Sequence, residues 1–284
     1  MTDLFPPYEP GDEPRRRRFK PVPLRVLLPN IVTLLSLCAG LTAMRYAVHG
    51  EAQMDRAVYA ILVAAVLDGL DGRLARLLKG TSRFGAELDS LADFVSFGVA
   101  PAFVLYTFSL HEIGSPGWIV ALAYAMACAL RLARFNVMID DPARPDWQKN
   151  FFVGIPAPAG ALAALLPLYL HLDGFSRPMG FAVVEAAYLL FVALMMVSRI
   201  PTYAGKTLGT RVPREWVVPM LIAAALAVAL MVSHTFEMLT LITVTYLALI
   251  PLGVRAYRRR ERGEDVPPEV VAAAAAGLDD KPRP

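Results

Sequence analysis

The sequence predicts an all-α membrane protein, a polytopic helical bundle of about eight membrane-associated helices. Hydrophobic residues make up 56% of the 284-residue chain, and its mean hydropathy of +0.47 is too high for an ordinary soluble domain. Several apolar stretches approach the roughly 20 residues that a helix needs to cross a bilayer. A compact group of acidic residues nevertheless lies between residues 66 and 98, within and between two of these stretches. Because charge inside a membrane helix is costly, we expect this group to form the functional site.

The expected spans divide the chain into four parts. A polar, basic segment at 1–27 precedes a core of six spans at 28–206, two further spans lie within 207–254, and a basic tail occupies 255–284. Pro156 and Pro158 stand near the start of the fifth span, where we expect them to break or loosen its first turn. We assign no chemistry to the last two spans. The approximate limits are 30–48, 57–78, 85–110, 118–134, a fifth span ending at 172, 178–197, 215–232 and 236–254.

The distribution of basic residues predicts the orientation of the chain in the membrane. If both termini lie on the inner side of eight spans, the inner segments carry nearly all of the 28 Lys and Arg residues. The positive-inside rule therefore assigns both termini and the acidic site to the cytoplasmic face of an inner or plasma membrane. The basic run at 15–20 belongs either to a disordered tail that sets topology or to a patch that attracts anionic lipid. Cys38 and Cys128 lie in apolar segments and imply no disulfide framework.

The acidic group consists of two pairs with helical spacing. Asp68 and Asp71 are three residues apart, and Asp89 and Asp93 are four apart, so each pair lies on one face of its helix. Residues 79–84 form a short polar turn between the two helices, which brings the pairs together at one membrane face. Two facing pairs of carboxylates repel each other strongly unless cations lie between them. Carboxylate oxygens favour Mg²⁺, Mn²⁺ or Ca²⁺ over zinc.

Small residues and an arginine accompany these carboxylates. Gly72 directly follows Asp71, and Gly85 lies four residues before Asp89. A glycine on the inner face of a helix lets a ligand or another backbone approach closely. Arg76 lies about one turn after Gly72 and is suited to binding a phosphate group. Together these residues predict a metal-bound pyrophosphate site.

The complete pattern reads D-x-x-D-G-x-x-A-R, then eight residues, then G-x-x-x-D-x-x-x-D. It resembles the signature of the CDP-alcohol phosphotransferases, and the resemblance covers about residues 28–206. The resemblance implies that Asp93 is the general base, a choice that spacing alone does not make between Asp93 and Asp89. It implies two divalent cations, Mg²⁺ or Mn²⁺, held by Asp68, Asp71, Asp89 and Asp93. It assigns the nucleotide and its phosphates to Gly72, Ala75, Arg76 and Gly85.

The start of the first span is a second candidate for nucleotide contact. Asn30 follows Pro29 and has the character of a helix cap, and Thr33 lies about one turn further on. In the resembled family this helix start borders the nucleotide pocket, so Asn30 and Thr33 are expected to contact the cytidine. A helix cap alone would account for the same residues.

Three further segments point to the acceptor alcohol. RLARFN (131–136), FVGIPAPA (152–159) and SRIPTYAGK (198–206) resemble segments of the membrane-embedded phosphatidylserine synthases in this family. The resemblance implies transfer of a phosphatidyl group from CDP-diacylglycerol to L-serine with release of CMP, by a homodimer in the phospholipid bilayer. No nucleic-acid partner is expected. Arg131 and Arg134 are the candidates for binding the serine carboxylate, although arginines at a helix end could equally extend towards the membrane surface.

Two other interpretations stay open. Within the family, the acceptor could be glycerol 3-phosphate, an inositol phosphate or choline. A phosphorylated acceptor would need a further basic cluster, which the available Arg and Lys residues neither prove nor exclude. A divalent-metal transporter would explain intramembrane carboxylates, but it would favour acidic residues near the membrane midplane rather than at one face. Transport would also leave unexplained the motif spacing of Gly72, Ala75, Arg76 and Gly85.

Overall fold

The computed structural model describes residues 24–80, 82–139, 151–198, 200–203 and 214–261 of the chain. The expectations for the basic run at 15–20 and for the C-terminal tail beyond 261 fall outside these described residues. The same is true of residues 140–150, which belong to the polar loop after the fourth predicted span.

Helices make up almost all of the described chain, as the sequence predicts. One short antiparallel strand pair departs from a purely helical fold: β1 (Phe151–Val153) pairs with β2 (Pro201–Tyr203). The helices are α1 (Leu24–Val48), α2 (Met54–Leu77), α3 (Arg83–Asp93), a π-helical turn (Phe94–Val99), α4 (Ala100–Phe108), α5 (Ser115–Ile139), α6 (Ala157–Ala164), α7 (Leu166–Leu172), α8 (Phe181–Val197), α9 (Val217–Ser233) and α10 (Thr235–Glu261).

The helices confirm a polytopic membrane bundle. Within the described ranges, four helices are long and apolar enough to cross a membrane: Leu27–Val48, Arg83–Phe108, Ser115–Met138 and Thr235–Arg255. The second of these contains α3, the π-helical turn and α4 in one continuous run, and corresponds to the third predicted span. Helices α8 and α9 are shorter and apolar. Helix α2 has 24 residues, and four of its six charged residues lie in the last ten of them.

The fifth predicted span is interrupted, but not where we expected. Pro156 caps α6 and Pro158 lies in its first turn. The prolines do not disturb that turn, because the first N–H groups of a helix have no helical acceptor to lose. The interruption instead separates α6 from α7, whose first turn contains Pro167.

A tyrosine from a neighbouring helix compensates for Pro167. In a continuous helix, the N–H of residue 167 would donate to the carbonyl of Ala163, and proline has no N–H. The hydroxyl of Tyr188 on α8 donates to that carbonyl at 2.7 Å. A backbone carbonyl in an apolar bundle needs such a donor, so α8 stabilises the break between α6 and α7.

A tight turn joins the two helices that carry the aspartates. Helix α2 ends in a Schellman motif, in which Lys79 adopts a left-handed conformation (φ 49°) and Gly80 N–H donates to the Ala75 carbonyl at 3.0 Å. Ser82 then caps α3, because its hydroxyl accepts the N–H of Gly85 at 3.0 Å. The end of one aspartate helix is therefore held close to the start of the next.

Helix α1 is the element against which both aspartate helices pack. It contacts α2, α3, the π-helical turn and α4. The approach is close at Gly40, where an added Cβ atom would lie 2.6 Å from the Ser96 Oγ atom of the π-helical turn. A glycine is therefore required at residue 40 for this packing.

Candidate active site

Helix packing brings together three of the aspartates predicted to bind metal. One carboxylate oxygen from each of Asp68, Asp71 and Asp89 lies within 4.8 Å of the other two. Asp68 and Asp71 come from α2 and Asp89 comes from α3, so the cluster depends on the turn between these helices. Asp71 is buried, and the other two side chains are half-buried. A cluster of carboxylate oxygens fits the ligand preference of Mg²⁺ or Mn²⁺.

The fourth aspartate adjoins this cluster. Asp93 lies one turn beyond Asp89 and ends α3, and its carboxyl group lies close to that of Asp68. The structure therefore brings all four motif aspartates into one site. Asp93 also directly precedes the π-helical turn, a position that its spacing from Asp89 did not reveal.

Thr33 of α1 holds one of the carboxylates. Its hydroxyl oxygen lies 2.6 Å from Asp71 Oδ2 and 3.1 Å from the Pro29 carbonyl oxygen. Thr33 and Asp71 are each 4% exposed, so this hydrogen bond is shielded from water. We predicted that Thr33 borders the nucleotide pocket, and its contact with Asp71 adds a role in orienting a candidate metal ligand.

A pocket of about 190 Å³ opens beside the carboxylates. It includes five of the six residues predicted to contact the nucleotide, together with residues that the motif had not singled out. Ser82 could have been recognised as a helix cap before α3, but its place in the pocket depends on how α1 packs. The lining residues are Pro29, Asn30, Thr33, Asp71, Gly72, Ala75, Gly80, Ser82, Gly85, Ala86 and Asp89.

Gly85 allows α1 to approach the start of α3. A Cβ atom at residue 85 would lie 2.9 Å from Asn30 Oδ1 and 3.1 Å from Ser82 Oγ. Gly72 differs, because an added Cβ atom would have no atom of the protein within 4 Å. Gly72 therefore borders open pocket space, whereas Gly85 permits a close contact within the protein.

Arg76 does not line the pocket described above. Its Nε–H donates to the Gly72 carbonyl of its own helix at 3.0 Å, and its side chain is exposed. The interpretation that Arg76 binds a phosphate stays a prediction.

The two arginines proposed for the acceptor have different surroundings. Arg131 is 7% exposed, and its buried Nε atom has no hydrogen-bond partner among the described residues. Its guanidinium lies within electrostatic range of Asp93 and Asp68. Arg134 instead donates from Nη1 to the Val197 carbonyl at the end of α8, at 2.5 Å. Arg131 therefore lies near the carboxylate site, whereas Arg134 donates to the end of α8.

One residue near the site comes from a span to which we had assigned no chemistry. Tyr246 of α10 packs against the core and lies within electrostatic range of Arg131. Helix α10 also packs on α6, α7 and β2. No sequence pattern indicated this proximity, because it depends on how distant helices pack.

Comparison with protein-family models decides the family. A model described as CDP-alcohol phosphatidyltransferase matches residues 26–202, which include every motif residue discussed above. The chain belongs to the CDP-alcohol phosphatidyltransferase family. A second model, described as CDP-alcohol phosphatidyltransferase 2, matches residues 215–251 and so covers much of α9 and α10.

Curated relatives of this family member share the name CDP-diacylglycerol–serine O-phosphatidyltransferase. One from Mycobacterium tuberculosis is 41% identical over 235 residues, which cover 82% of this chain and 79% of the relative. One from Mycobacterium leprae is 40% identical over 248 residues, or 86% of this chain and 79% of the relative. One from Helicobacter pylori is 35% identical over 181 residues, or 61% of this chain and 70% of the relative.

If the hydrogen bond from Thr33 orients Asp71 as a metal ligand, then removing it should lower the metal affinity of this phosphatidyltransferase. Thr33→Val removes the hydroxyl and nearly preserves the shape of the side chain. We expect the Mn²⁺ affinity of the purified chain to fall about tenfold, because hydrogen bonds to metal ligands are typically worth 10–100-fold in affinity. Electron paramagnetic resonance of free Mn²⁺ during a titration measures this change.

Thr42→Val is the matched control. Thr42 lies on the same helix, and its hydroxyl donates at 2.6 Å to the Cys38 carbonyl of that helix. We expect this variant to bind Mn²⁺ like the unaltered chain. Equal Mn²⁺ affinity in the Thr33 and Thr42 variants would show that Thr33 does not support a metal ligand.

Proposed function

We propose that this family member is a phosphatidylserine synthase. It transfers the phosphatidyl group of CDP-diacylglycerol to the hydroxyl of L-serine and releases CMP. The observation that carries the proposal is the cluster of Asp68, Asp71 and Asp89 carboxylates beside a pocket lined by the family motif. The shared name of relatives at 35–41% identity supports CDP-diacylglycerol and serine as the substrates.

The proposed cofactors are two divalent cations, Mg²⁺ or Mn²⁺. The donor set fits them, because oxygens from Asp68, Asp71 and Asp89 lie within 4.8 Å of one another and Asp93 adjoins Asp68. Bound there, the cations would neutralise the negative charge that rises on the phosphates during transfer. Thr33 fixes the direction of the Asp71 carboxylate towards this site.

Asp93 is the proposed general base. The serine hydroxyl oxygen forms a bond to the phosphorus of the phosphatidyl group while the bond from that phosphorus to the CMP oxygen breaks. The hydroxyl proton passes to the Asp93 carboxylate. The Asp93 carboxyl group lies beside that of Asp68, so the proposed base adjoins the proposed metal ligands.

The pocket between α1 and the turn after α2 is the proposed site for the CDP group. Gly72 and Ala75 offer a wall of small residues along α2, and Asn30 approaches from α1. The N-terminus of α3, capped by Ser82, adds backbone N–H groups that favour an anion. Arg76 is proposed to bind a phosphate after leaving its contact with the Gly72 carbonyl.

Arg131 is the preferred candidate for the serine carboxylate. It is buried, near Asp93, and has an N–H group without a partner among the described residues. A buried guanidinium in this state is suited to a carboxylate, which accepts two parallel hydrogen bonds. Arg134 is a weaker candidate, because its Nη1 atom already donates to Val197.

The pocket and both termini are proposed to face the cytoplasm. Exposed basic side chains surround the turn between α2 and α3 and accord with the positive-inside rule. They are Arg73, Arg76, Lys79 and Arg83. Assembly as a homodimer is also proposed, on the family resemblance alone.

CMP release with different acceptors tests the proposed function. Purified chain receives CDP-diacylglycerol, Mn²⁺ or Mg²⁺, and one acceptor at a time: serine, glycerol 3-phosphate, inositol phosphate or choline. We expect CMP release with serine and no release above background with the other three. Release with a different acceptor would contradict serine specificity and retain the carboxylate site. No release with any acceptor by the folded, metal-loaded chain would contradict the transfer reaction itself.

Gly72→Ala tests the proposed nucleotide pocket. The added methyl group meets no protein atom within 4 Å but enters the pocket, so the fold should persist while substrate binding weakens. We expect the KM for CDP-diacylglycerol to rise roughly tenfold, the scale of a one-carbon change in a binding pocket. Steady-state kinetics at saturating serine measure it.

Gly69→Ala provides the control on the same helix. A Cβ atom at residue 69 also has no protein atom within 4 Å, and Gly69 is outside the pocket lining. We expect its KM to match that of the unaltered chain. A KM that is unchanged in both variants would remove Gly72 from the proposed CDP site.

A further inference from the structure

The π-helical turn after Asp93 coincides with a proline that removes a helical hydrogen bond. Within the turn Phe94–Val99, hydrogen bonds span five residues instead of four, and the Ala100 N–H donates to the Val95 carbonyl. Pro101 follows immediately and has no N–H. In a regular α-helix that N–H would donate to the Phe97 carbonyl. The Phe97 carbonyl therefore needs a donor from outside its helix.

Tyr124 of α5 supplies this donor. Its hydroxyl donates to the Phe97 carbonyl at 3.0 Å, and both residues are fully buried. A buried carbonyl without a partner costs about 1–3 kcal/mol, so this hydrogen bond stabilises the widened turn. Close packing reinforces it, because an added Cβ atom at Gly98 would lie 3.0 Å from Cys128 Cβ on the same helix α5.

The opposite side of the π-helical turn is fixed to the helices of the first aspartate pair. The Ser96 hydroxyl donates to the Ser36 carbonyl of α1 at 3.2 Å. The Ser36 hydroxyl in turn donates at 3.0 Å to the Ala64 carbonyl of α2. Ala64 lies one turn before Asp68, so a chain of two hydrogen bonds links the π-helical turn to the helix segment that carries Asp68.

The π-helical turn determines the direction of Asp93 relative to α4. Each residue of an α-helix corresponds to a rotation of about 100°, and a π-helical turn accommodates an additional residue within one turn. Helix α4 is anchored in the core by Ala100, Val104 and Leu105, all fully buried. If the turn relaxed to a regular helix while α4 stayed in place, Asp93 would rotate away from Asp68.

We propose that Tyr124 is a positioning residue for the phosphatidyl transfer reaction. By donating to the Phe97 carbonyl, it holds the π-helical turn that directs the Asp93 carboxylate towards Asp68 and the substrate. Ser96 holds the same turn from the side of α1. This inference rests on the proposed function, in which Asp93 accepts the proton of the acceptor hydroxyl.

Tyr124→Phe tests the inference. It removes the donor to Phe97 and keeps the aromatic ring in place. We expect kcat for CMP release to fall at least about tenfold, because misplacing a catalytic group by about 1 Å can cost roughly a hundredfold. The KM values for CDP-diacylglycerol and serine should stay unchanged, because Tyr124 lines neither proposed substrate site. Ser96→Ala should lower kcat in the same way, and it provides a second variant if Tyr124→Phe fails to fold.

Tyr188→Phe is the matched control. Its hydroxyl donates to the Ala163 carbonyl, which Pro167 leaves without a helical donor, so the lost hydrogen bond is of the same kind. We expect a similar loss of thermal stability in the Tyr124 and Tyr188 variants, with kcat reduced in the Tyr124 variant alone. Equal kcat values in the two variants, measured well below their unfolding temperatures, would overturn the inference.

Asp93→Asn separates failure of this inference from failure of the proposed function. We expect this variant to lose turnover while retaining CDP-diacylglycerol binding. If Asp93→Asn is inactive and both Tyr124→Phe and Ser96→Ala keep full kcat, the positioning role is wrong and the general base stands. If Asp93→Asn keeps full turnover, Asp93 is not the base, and its positioning by Tyr124 is overturned with it.

Discussion

Repulsion between carboxylates is the constraint on which the rest of the structure depends. Asp68, Asp71 and Asp89 approach within 4.8 Å of one another, and Asp93 adjoins them, inside a largely apolar bundle. Such a group is unfavourable without compensating positive charge. The nearby buried cation, Arg131, balances at most one of these carboxylates. The arrangement is therefore best explained by bound divalent cations, which also supply what phosphoryl-type chemistry requires.

Helix α1 provides the frame that keeps the carboxylates in place. Asn30, Thr33, Ser36 and Gly40 follow one another at intervals of three or four residues, so they share one helix face. Asn30 lies against the start of α3, and Thr33 bonds to the Asp71 carboxylate. Ser36 donates to the Ala64 carbonyl, and Gly40 packs against the π-helical turn. The face thus connects the pocket, a metal ligand and the segment that orients Asp93. This spacing is visible in the sequence, but from the sequence we assigned a function only to Asn30 and Thr33.

The features that could be predicted from the sequence are those determined over short distances along the chain. Apolar stretches and helical spacing gave the spans and the two aspartate pairs, because periodicity reflects the local helix. The bond from Arg134 to Val197 and the proximity of Tyr246 to Arg131 depend on packing between distant segments. The expectation that Pro156 and Pro158 would break or loosen a helical turn was wrong, because the effect of a proline depends on its position within the helix.

Counting bound Mn²⁺ tests the central claim most directly. The purified 284-residue chain would be titrated with Mn²⁺ in the presence of CDP, with electron paramagnetic resonance reporting the free ion. The account predicts two bound Mn²⁺ per chain and loss of that binding in the double variant Asp71→Asn, Asp89→Asn. Equal Mn²⁺ binding by the unaltered chain and the folded double variant would contradict it, because the carboxylate cluster would then not be a metal site.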